Sequence, residues 1–520
     1  MSTLSSFLSL AHAGWVLARE GVISELPSDG LPPPAKFAHR IAKLIARRQS
    51  ADREQSERLS IALNKLGPSW IKLGQFLATR PDVVGKETAL DLALLHDSVE
   101  PFGLEEAKRR IAQSINRPID EFYSEISEPI AAASVAQVHK AILKNTGETV
   151  AVKVIRPGVR ARFRKDMKTF YAAARFMDKT VAEAKRLKPI SVVDMLDQSA
   201  KIEMDLRLEA AAFSEMGENI KEDPGFRVPE VNWEYTGRDC ITMSWVDGIK
   251  LSNVEKLREA GHDLEALSVT LIQSFLRHTL RDGFFHADMH PGNLFVDKKG
   301  DVVAVDLGIA GRLGKEERRF LAEILYGFIK RDYLRVAQVH FDAGYVPPHH
   351  DVTSFAQAIR AIGEPIHGQS AETISMAKLL TLLFEVTEIF EMQTRPELLL
   401  LQKTMVVVEG VARTLDPSFN MWKSAEPVVG GWIAKNLGPV GILEDTKQGL
   451  EAALRLAHQM PKLAKRTELL SEHMQGMIAN GMKLDPETTE AIGKAEAKNN
   501  RWSHIALWVI AGLLAWNVFS

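Results

Sequence analysis

Cysteine is almost absent from this chain, and neither sign of charge is in excess. The 520 residues include one cysteine, Cys240, so no internal disulfide can form and a reducing compartment is expected. The 65 lysines and arginines are matched by 67 aspartates and glutamates. Nucleic-acid binding calls for a basic excess, which is lacking here, so we expect no nucleic-acid partner. With 45% hydrophobic residues, the chain can still bury a large core.

Long apolar runs are scarce as well. Residues 7–18 are apolar, but no basic residue precedes them, which disfavours a secretory signal and favours an amphipathic surface helix. Residues 505–519 carry no charge and would form a helix of roughly 22 Å, shorter than a ~30 Å hydrocarbon core. Three tryptophans within and before this run, Trp502, Trp508 and Trp516, suit the membrane interface. The basic residues Lys494, Lys498 and Arg501 precede the run, on the expected cytoplasmic side. We interpret the run as a single membrane anchor; a buried amphipathic helix and a dimer-forming tail are the alternatives.

The sequence His-Ala-Asp-Met-His-Pro-Gly-Asn at residues 286–293 has the spacing of a kinase catalytic loop. Such a loop needs an aspartate to orient and deprotonate the acceptor, and an asparagine five positions later to hold magnesium. Asp288 and Asn293 have that spacing, and Asp306 begins an Asp-Leu-Gly sequence like the metal-binding turn of kinases. Residues 294–305 read as a hairpin that would bring Asn293 and Asp306 to one Mg²⁺ site. In the alternative interpretation, Asp288 and Asn293 only form turns, and His286 is a buried histidine without a role in catalysis.

The residues that would hold the nucleotide lie upstream. Residues 149–155 alternate like a half-buried strand and match the kinase strand whose lysine, here Lys153, holds the α- and β-phosphates of ATP. Where a protein kinase has glycines that permit a left-handed backbone, this chain has alanines, so its loop must adopt another geometry. The predicted loop residues are Ala131, Ala132, Ala133, Ser134 and Val135. Met243 begins the predicted hinge beneath the adenine, and ATP and Mg²⁺ are the expected cofactors.

The sequence Lys72-Leu-Gly-Gln75, the alanine-rich loop and a Glu-Met-Asp sequence beginning at Glu203 together resemble the UbiB family. The resemblance runs from about residue 66 to about residue 420, and Lys-x-Gly-Gln is the family's most particular mark. It implies an atypical protein-kinase-like protein tied to ubiquinone biosynthesis. It also implies that the helix carrying Lys72 and Gln75 covers the nucleotide cleft, where a peptide substrate would sit, and that Glu203 and Asp205 meet this helix or the metal.

Helical spacing leaves two candidates for the partner of Lys153. Glu203 and Glu209 are six residues apart, nearly two turns, so both can face the cleft from one helix. Asp205 then points elsewhere unless the helix is irregular. Either glutamate can pair with Lys153. We favour Glu209 for that pair, and Glu203 with Asp205 for the contact with the Lys-x-Gly-Gln helix.

These elements predict an α+β, bilobal protein-kinase-like fold, with a small five-stranded N-lobe and a helical C-lobe. An N-terminal helical extension and a C-terminal membrane helix flank the two lobes. The predicted segments are an amphipathic segment and linker at 1–35, the helical extension with the Lys-x-Gly-Gln motif at 36–118, the N-lobe at 119–250, the C-lobe at 251–470, a juxtamembrane helical segment at 471–502 and the anchor at 503–520.

The resemblance implies a membrane-associated atypical kinase or ATPase required for ubiquinone (coenzyme Q) biosynthesis. It would use Mg-ATP to support the processing or access of polyprenylated quinone precursors at the cytoplasmic face of the inner membrane. The expected partners are membrane lipids, those precursors and other ubiquinone-biosynthesis proteins; homodimer formation stays open. Ten basic and three acidic side chains at 158–189 suit either a solvated face or anionic headgroups.

A small-molecule kinase is the alternative function. The His-x-Asp-x-His-x-x-Asn pattern also resembles aminoglycoside and choline phosphotransferases, whereas the Lys-x-Gly-Gln motif and the apolar tail favour the first interpretation. An ordinary protein kinase is disfavoured because only residues 309–314 separate Gly308 from a charged helix beginning near Lys315. So short a segment offers little platform for a peptide substrate.

Overall fold

The structure, a computed structural model, describes residues 3–23, 40–46, 55–78, 84, 88, 91–92, 100–180, 188–368, 386–387, 389–392 and 396–438. The chain divides into two units, Met1–Ala434 and Lys435–Ser520. Of the second unit, residues 435–438 are described. The predicted juxtamembrane segment and membrane anchor at 471–520 lie outside the described residues. Within those residues, no helix has both the length and the apolar character that a bilayer span requires.

Helices precede the small lobe, as predicted for this part of the chain: α1 Thr3–Arg19, α2 Gln55–Leu66, α3 Pro68–Ala78 and α4 Leu104–Ile115. The break between α2 and α3 has a local cause. Gly67 adopts a φ of +101°, which side chains with a Cβ rarely adopt, and Pro68 then occupies the first helical position of α3. Arg162 donates a hydrogen bond of 2.9 Å to the carbonyl of Leu66 at the end of α2.

The small lobe is built on an antiparallel sheet. The strands before the hinge are β1 Tyr123–Ala132, β2 Ala136–Leu143, β3 Thr149–Ile155, β4 Phe226–Arg227 and β5 Cys240–Ser244. The order in the sheet is β1-β2-β3-β5, so among the described residues the lobe has four strands. The prediction of five strands is wrong. Residues 227–231 do not form a continuous strand, because Pro229 has no N–H to donate; β4 joins the other lobe, and Val231 makes a single bridge to Met243.

Between β3 and β4 the described part of the chain forms the helices α5 Val159–Thr180, α6 Pro189–Glu203 and α7 Leu206–Asn219. We predicted one helix carrying both Glu203 and Glu209, which is wrong. Glu203 ends α6 and Glu209 lies in the first turn of α7. Asp205 interrupts the helix because its backbone is extended and its side chain caps α7, accepting from the N–H of Arg207.

The second lobe combines short strands with helices. Its elements are β6 Gly248–Lys250, α8 Val254–Glu259, α9 Leu264–Arg277, β7 Phe284–His286, β8 Leu294–Asp297, β9 Val302–Ala304, β10 Ala310–Arg312, α10 Lys315–Lys330, α11 Tyr333–Asp342, α12 Val352–Gly368, α13 Pro396–Leu415 and α14 Met421–Asn436. The predicted hairpin is confirmed, since β8 and β9 pair antiparallel. One hydrophobic core runs from α5–α7 through α9 and β7–β9 to α13 and α14. The two lobes are therefore held together by a hydrophobic core to which both contribute side chains.

Candidate active site

Lys153 lies between two carboxylates that come from different lobes. β3 carries this lysine at the centre of the small sheet, where it pairs with Val138 on one side and Ile241 on the other. Its Nζ lies 2.7 Å from Oε1 of Glu209 and 2.8 Å from Oδ2 of Asp306. Of the two candidate glutamates, the structure therefore brings Glu209 to Lys153. The side chain of Glu209 is buried, whereas that of Asp306 is 38% exposed, so the cluster opens to solvent on the Asp306 side.

Burial and charge act in opposite directions on this cluster. Burial raises the pKa of Glu209 to about 7, and the Lys153 ammonium only partly opposes that rise. Burial also favours a raised pKa for Asp306, but there the Lys153 ammonium dominates and lowers the pKa to about 2. Burial alone would lower the pKa of Lys153; the two carboxylates outweigh it and raise that pKa. Asp306 is thus an anion throughout the neutral range, as a magnesium ligand must be.

The predicted catalytic loop is ordered by hydrogen bonds to its own backbone. Nδ2 of Asn293 donates to the carbonyl of Asp288 at 3.3 Å, and the N–H of Asp288 donates to Nδ1 of His286 at 3.3 Å. His286 is buried, and burial is the main cause of its lowered pKa. The Asp288 side chain is about one third exposed, at 32%. The backbone of Asp288 is thus held in place while its carboxylate stays accessible, and such a carboxylate can accept a proton from an acceptor hydroxyl.

The hairpin joins the two predicted metal ligands. The N–H of Val305 donates to the carbonyl of Asn293 at 3.0 Å, so the residues preceding β8 and following β9 are neighbours. Oδ1 of Asp306 accepts from the N–H of Gly308 at 2.9 Å, which orients the carboxylate. An amide oxygen and an anionic carboxylate are ligands that Mg²⁺ prefers, and the residues present therefore fit a magnesium-bound nucleotide.

The alanine-rich loop is a tight connection between β1 and β2. Ala131 and Ala132 end β1, and the N–H of Ala133 donates to the carbonyl of Ala136 at 2.8 Å. Ser134 and Val135 are buried. Residues 131–135, all of which the structure describes, have no left-handed φ. The backbone of this loop therefore avoids the geometry that glycine would permit.

Arg156, which sequence reasoning missed, holds the alanine-rich loop from the residue after β3. Its Nε donates to the carbonyl of Ala133 at 2.6 Å, and its N–H donates to the carbonyl of Val135 at 2.8 Å. The sequence signal that could have identified Arg156 is a basic residue directly after the lysine-bearing strand.

Met243, the predicted hinge residue, is buried in β5 opposite Ala151 of β3. The predicted nucleotide-binding residues thus border the same face of the small lobe.

An ion pair joins the Lys-x-Gly-Gln helix to the residues beside the cleft. Nζ of Lys72 lies 2.5 Å from Oε1 of Glu203 and donates to Oε1 of Gln75 at 3.3 Å. Burial is the main cause of the raised pKa of Glu209, and the negative charges of Asp306 and then Glu203 add to the rise, so the Lys72–Glu203 pair lies within electrostatic reach of the Lys153 cluster. The lysine is 8% exposed, so α3 is docked rather than loosely attached.

Asp205 does not join this contact, so that part of the prediction is wrong. Its carboxylate accepts from the guanidinium of Arg207 at 2.9 and 2.6 Å, and Arg238 lies 3.8 Å away. The hydrogen bond from Arg207 is the main cause of its lowered pKa. As the cap of α7, Asp205 is oriented toward its own helix and cannot also reach Lys72.

Replacing Lys72 with Ala tests whether α3 controls the cleft. We expect ATP turnover or self-phosphorylation to change by roughly 5-fold, because Glu203 loses its partner and α3 loses an ion pair that joins it to α6. The thermal midpoint should fall only slightly, since Glu203 keeps 20% exposure to water. Lys65→Ala on α2, which breaks the 2.6 Å pair with Glu20, is the matched control. Unchanged turnover and labelling in a folded Lys72→Ala protein would exclude a role for α3 in the cleft.

The fold and the site together define a kinase-like protein: a small sheet with a paired lysine, a loop with kinase-like spacing around Asp288, and a hairpin that brings the two candidate metal ligands together. Comparison with known families agrees. The ABC1 atypical kinase-like domain matches residues 94–340, and the UbiB helical domain matches residues 359–420. The chain belongs to the UbiB family.

Relatives and a solved structure extend over most of the chain. A "Probable protein kinase UbiB" from Marinobacter nauticus is 38% identical over 87% of this chain and 84% of its own length. Another from Photobacterium profundum is 36% identical over 92% and 88%. The solved Rv3197–erythromycin complex from Mycobacterium tuberculosis has a TM-score of 0.50 and 23% identity, and covers 76% of this chain and 99% of its own. That likeness supports the fold.

Proposed function

We propose that this protein is a membrane-associated atypical kinase or ATPase that uses Mg-ATP to support ubiquinone biosynthesis. The observation that carries the proposal is the position of Lys153 between Glu209 and Asp306, because it joins the small lobe to the metal-binding turn. Membership of the UbiB family and the resemblance described above supply the biosynthetic context. The acceptor is a phenolic or polyprenylated quinone precursor, or water.

Each polar residue has a role in this proposal. When bound, Mg-ATP would supply the transferable phosphoryl group. Lys153 would hold the α- and β-phosphates, and Asn293 and Asp306 would hold the metal. Asp288 would orient the acceptor and accept its proton. Glu209 keeps Lys153 in position from α7, which is the arrangement that an active kinase requires.

The docked α3 helix supports a small acceptor rather than a protein. Lys72 is paired with Glu203 next to the nucleotide residues, and β10 is followed almost at once by α10. A cover on the cleft and a short connection after the metal-binding turn both reduce the surface on which a peptide could lie. Water or a small phenolic ring needs much less room.

Location at a membrane is part of the proposal. Polyprenylated precursors are too apolar to diffuse freely in water, so an enzyme acting on them benefits from a bilayer site. The anchor proposed at 503–520 would leave the catalytic domain at the cytoplasmic face of the inner membrane, where lipids and other ubiquinone-biosynthesis proteins are partners. A homodimer is compatible with this arrangement.

A small-molecule kinase is the second candidate. The observation that favours it is the His-x-Asp-x-His-x-x-Asn sequence of the catalytic loop, which resembles that of aminoglycoside and choline phosphotransferases. In that case the acceptor would be a soluble hydroxyl compound, and membranes would have no effect on the rate.

The proposal predicts that membranes and quinone precursors stimulate ATP turnover. The full chain would be incubated with γ-labelled ATP, with and without phenolic precursors and phospholipid vesicles. We expect Mg²⁺-dependent turnover that both additions increase, with EDTA as the control. Transfer of label to choline or an aminoglycoside would favour the second candidate. A protein that neither binds nor consumes ATP under any of these conditions would overturn both.

The same proposal extends to cells. Cutting the chain after Arg501 should leave a soluble protein that still binds nucleotide, because the site lies within residues 72–306. That protein should fail to support ubiquinone production in cells. If it still sediments with membranes after a high-salt wash, the anchor lies elsewhere, with α1 and the basic helix α5 as the next candidates.

A further inference from the structure

Helix α13 contacts the catalytic loop through two adjacent side chains. Oγ1 of Thr404 lies 2.9 Å from the carbonyl of Ala287, 117 positions away in the chain, and 2.8 Å from that of Leu400, so its one proton is shared between a contact with the loop and a contact within the helix. Next to it, Nζ of Lys403 lies 4.0 Å from Oδ1 of Asp288. Thr404 is buried, so this contact positions α13 firmly against the loop. The helix lies in the part of the chain that matches the UbiB helical domain.

The catalytic loop itself supplies no permanent cation. Between Asp288 and Asn293 stand a methionine, a histidine, a proline and a glycine. The histidine, His290, has Nε2 at 3.8 Å from Oδ2 of Asp288, while its Nδ1 accepts from the N–H of Gly292 at 3.1 Å. Among the described residues, Lys403 is the lysine or arginine that forms an ion pair with Asp288. For these residues, the permanent positive charge beside Asp288 therefore comes from the helical domain, not from the catalytic loop.

Lys403 is not committed to a structural role at this position. Its ammonium is 4.0 Å from the carboxylate, beyond hydrogen-bond distance, and its side chain is 35% exposed. A pair of this kind contributes little to stability, because solvent screens both charges. The same features allow the ammonium to turn toward another anion that binds beside Asp288. A transferred phosphoryl group is such an anion, since negative charge is spread over its oxygens in the transition state.

We propose that Lys403 is a catalytic residue that stabilises the transferred phosphoryl group, so that the helical domain completes the active site. The proposal rests on the function proposed above. The acceptor oxygen forms a bond to the γ-phosphorus, the bond from that phosphorus to the β–γ bridging oxygen breaks, and ADP leaves. The acceptor proton passes to Asp288. Lys403 opposes the charge on the phosphoryl oxygens during this step, while Thr404 positions its helix.

The test compares turnover with the binding of a nucleotide that lacks the γ-phosphoryl group. Full-length wild-type, Lys403→Met, Lys403→Arg and the control Lys423→Met would be assayed for Mg-ATP turnover, Mg-ADP affinity and thermal midpoint. Lys423 is an exposed lysine on α14. We expect Lys403→Met to lower kcat by roughly 10- to 100-fold, with Mg-ADP affinity and thermal midpoint unchanged. Arginine should restore most of the rate, and the control should match the wild type.

Each other result overturns the proposal in a distinct way. An unchanged kcat in Lys403→Met would show that the cation is not used. A parallel loss of kcat, Mg-ADP affinity and thermal stability, without rescue by arginine, would show that Lys403 only supports the loop. If the wild-type protein binds Mg-ADP and turns over Mg-ATP, the comparison of the variants tests the role of Lys403 and leaves the proposed function standing. A wild-type protein that binds neither nucleotide would overturn the proposed function, and this proposal with it.

Discussion

Replacing Asp306 with Asn is expected to lower the affinity for Mg-ATP by roughly 100-fold or more. The substitution keeps the shape of the side chain and an oxygen that can accept from Gly308, but it removes the negative charge. That charge is needed by the metal and also opposes the ammonium of Lys153, 2.8 Å away. Removing one member of such a cluster leaves an unbalanced charge beside the phosphates, which typically costs several kcal/mol.

The measurement is the rise in thermal midpoint on adding Mg-ATP, supported by calorimetric titration. Asp301→Asn, in the turn between β8 and β9, is the control because it removes the same charge from the same hairpin. EDTA should make the wild type resemble Asp306→Asn, since both then lack the bound metal. Undiminished stabilisation of Asp306→Asn by Mg-ATP would refute the assignment of Asp306 as a metal ligand.

Gly311→Ala is expected to destabilise the fold by about 3 kcal/mol. Gly311 lies in β10 opposite Phe285 of β7, and a Cβ at this position would overlap Cζ of that ring. The ring cannot withdraw easily, because it is fully buried and packs edge-on against Phe275 with ring centroids 5.9 Å apart. Overpacking of a well-filled core typically costs roughly 1–3 kcal/mol, occasionally more.

Thermal and urea unfolding would measure this cost. Gly410→Ala is the matched control: Gly410 lies in α13, and among the described residues a Cβ added there would meet nothing outside its own helix within 4 Å, so the change should be neutral or stabilising by up to about 1 kcal/mol. Combining Gly311→Ala with Phe285→Leu should recover part of the loss, since the smaller side chain makes room. Equal unfolding midpoints for Gly311→Ala and the wild type would show that the β7–β10 contact is looser than described.

The sequence predicted the β8–β9 hairpin correctly because its determinants are local. Asp288, Asn293 and Asp306 lie within one short stretch, and a single turn between two apolar strands decides their proximity. The lysine strand was equally readable, since its alternation and its lysine occur in seven residues. Family membership also followed from the sequence, because the Lys-x-Gly-Gln motif can be recognised without knowing which residues it contacts.

Other features depended on contacts between distant segments. Spacing allowed either Glu203 or Glu209 to pair with Lys153; the helix break at Asp205 sends the first to Lys72 and the second to Lys153. The number of strands in the small sheet depended on where β4 found a partner, and it found β9 of the other lobe.

The sequence by itself determined the class of protein, its family and the β8–β9 hairpin between Asn293 and Asp306, because each of these is encoded in short segments with characteristic spacing. Only the tertiary structure decided which carboxylate balances Lys153 and that Lys403 stands beside Asp288. These contacts join residues far apart in the chain, and their formation depends on how the helices pack. No periodicity or spacing within one segment can report such packing.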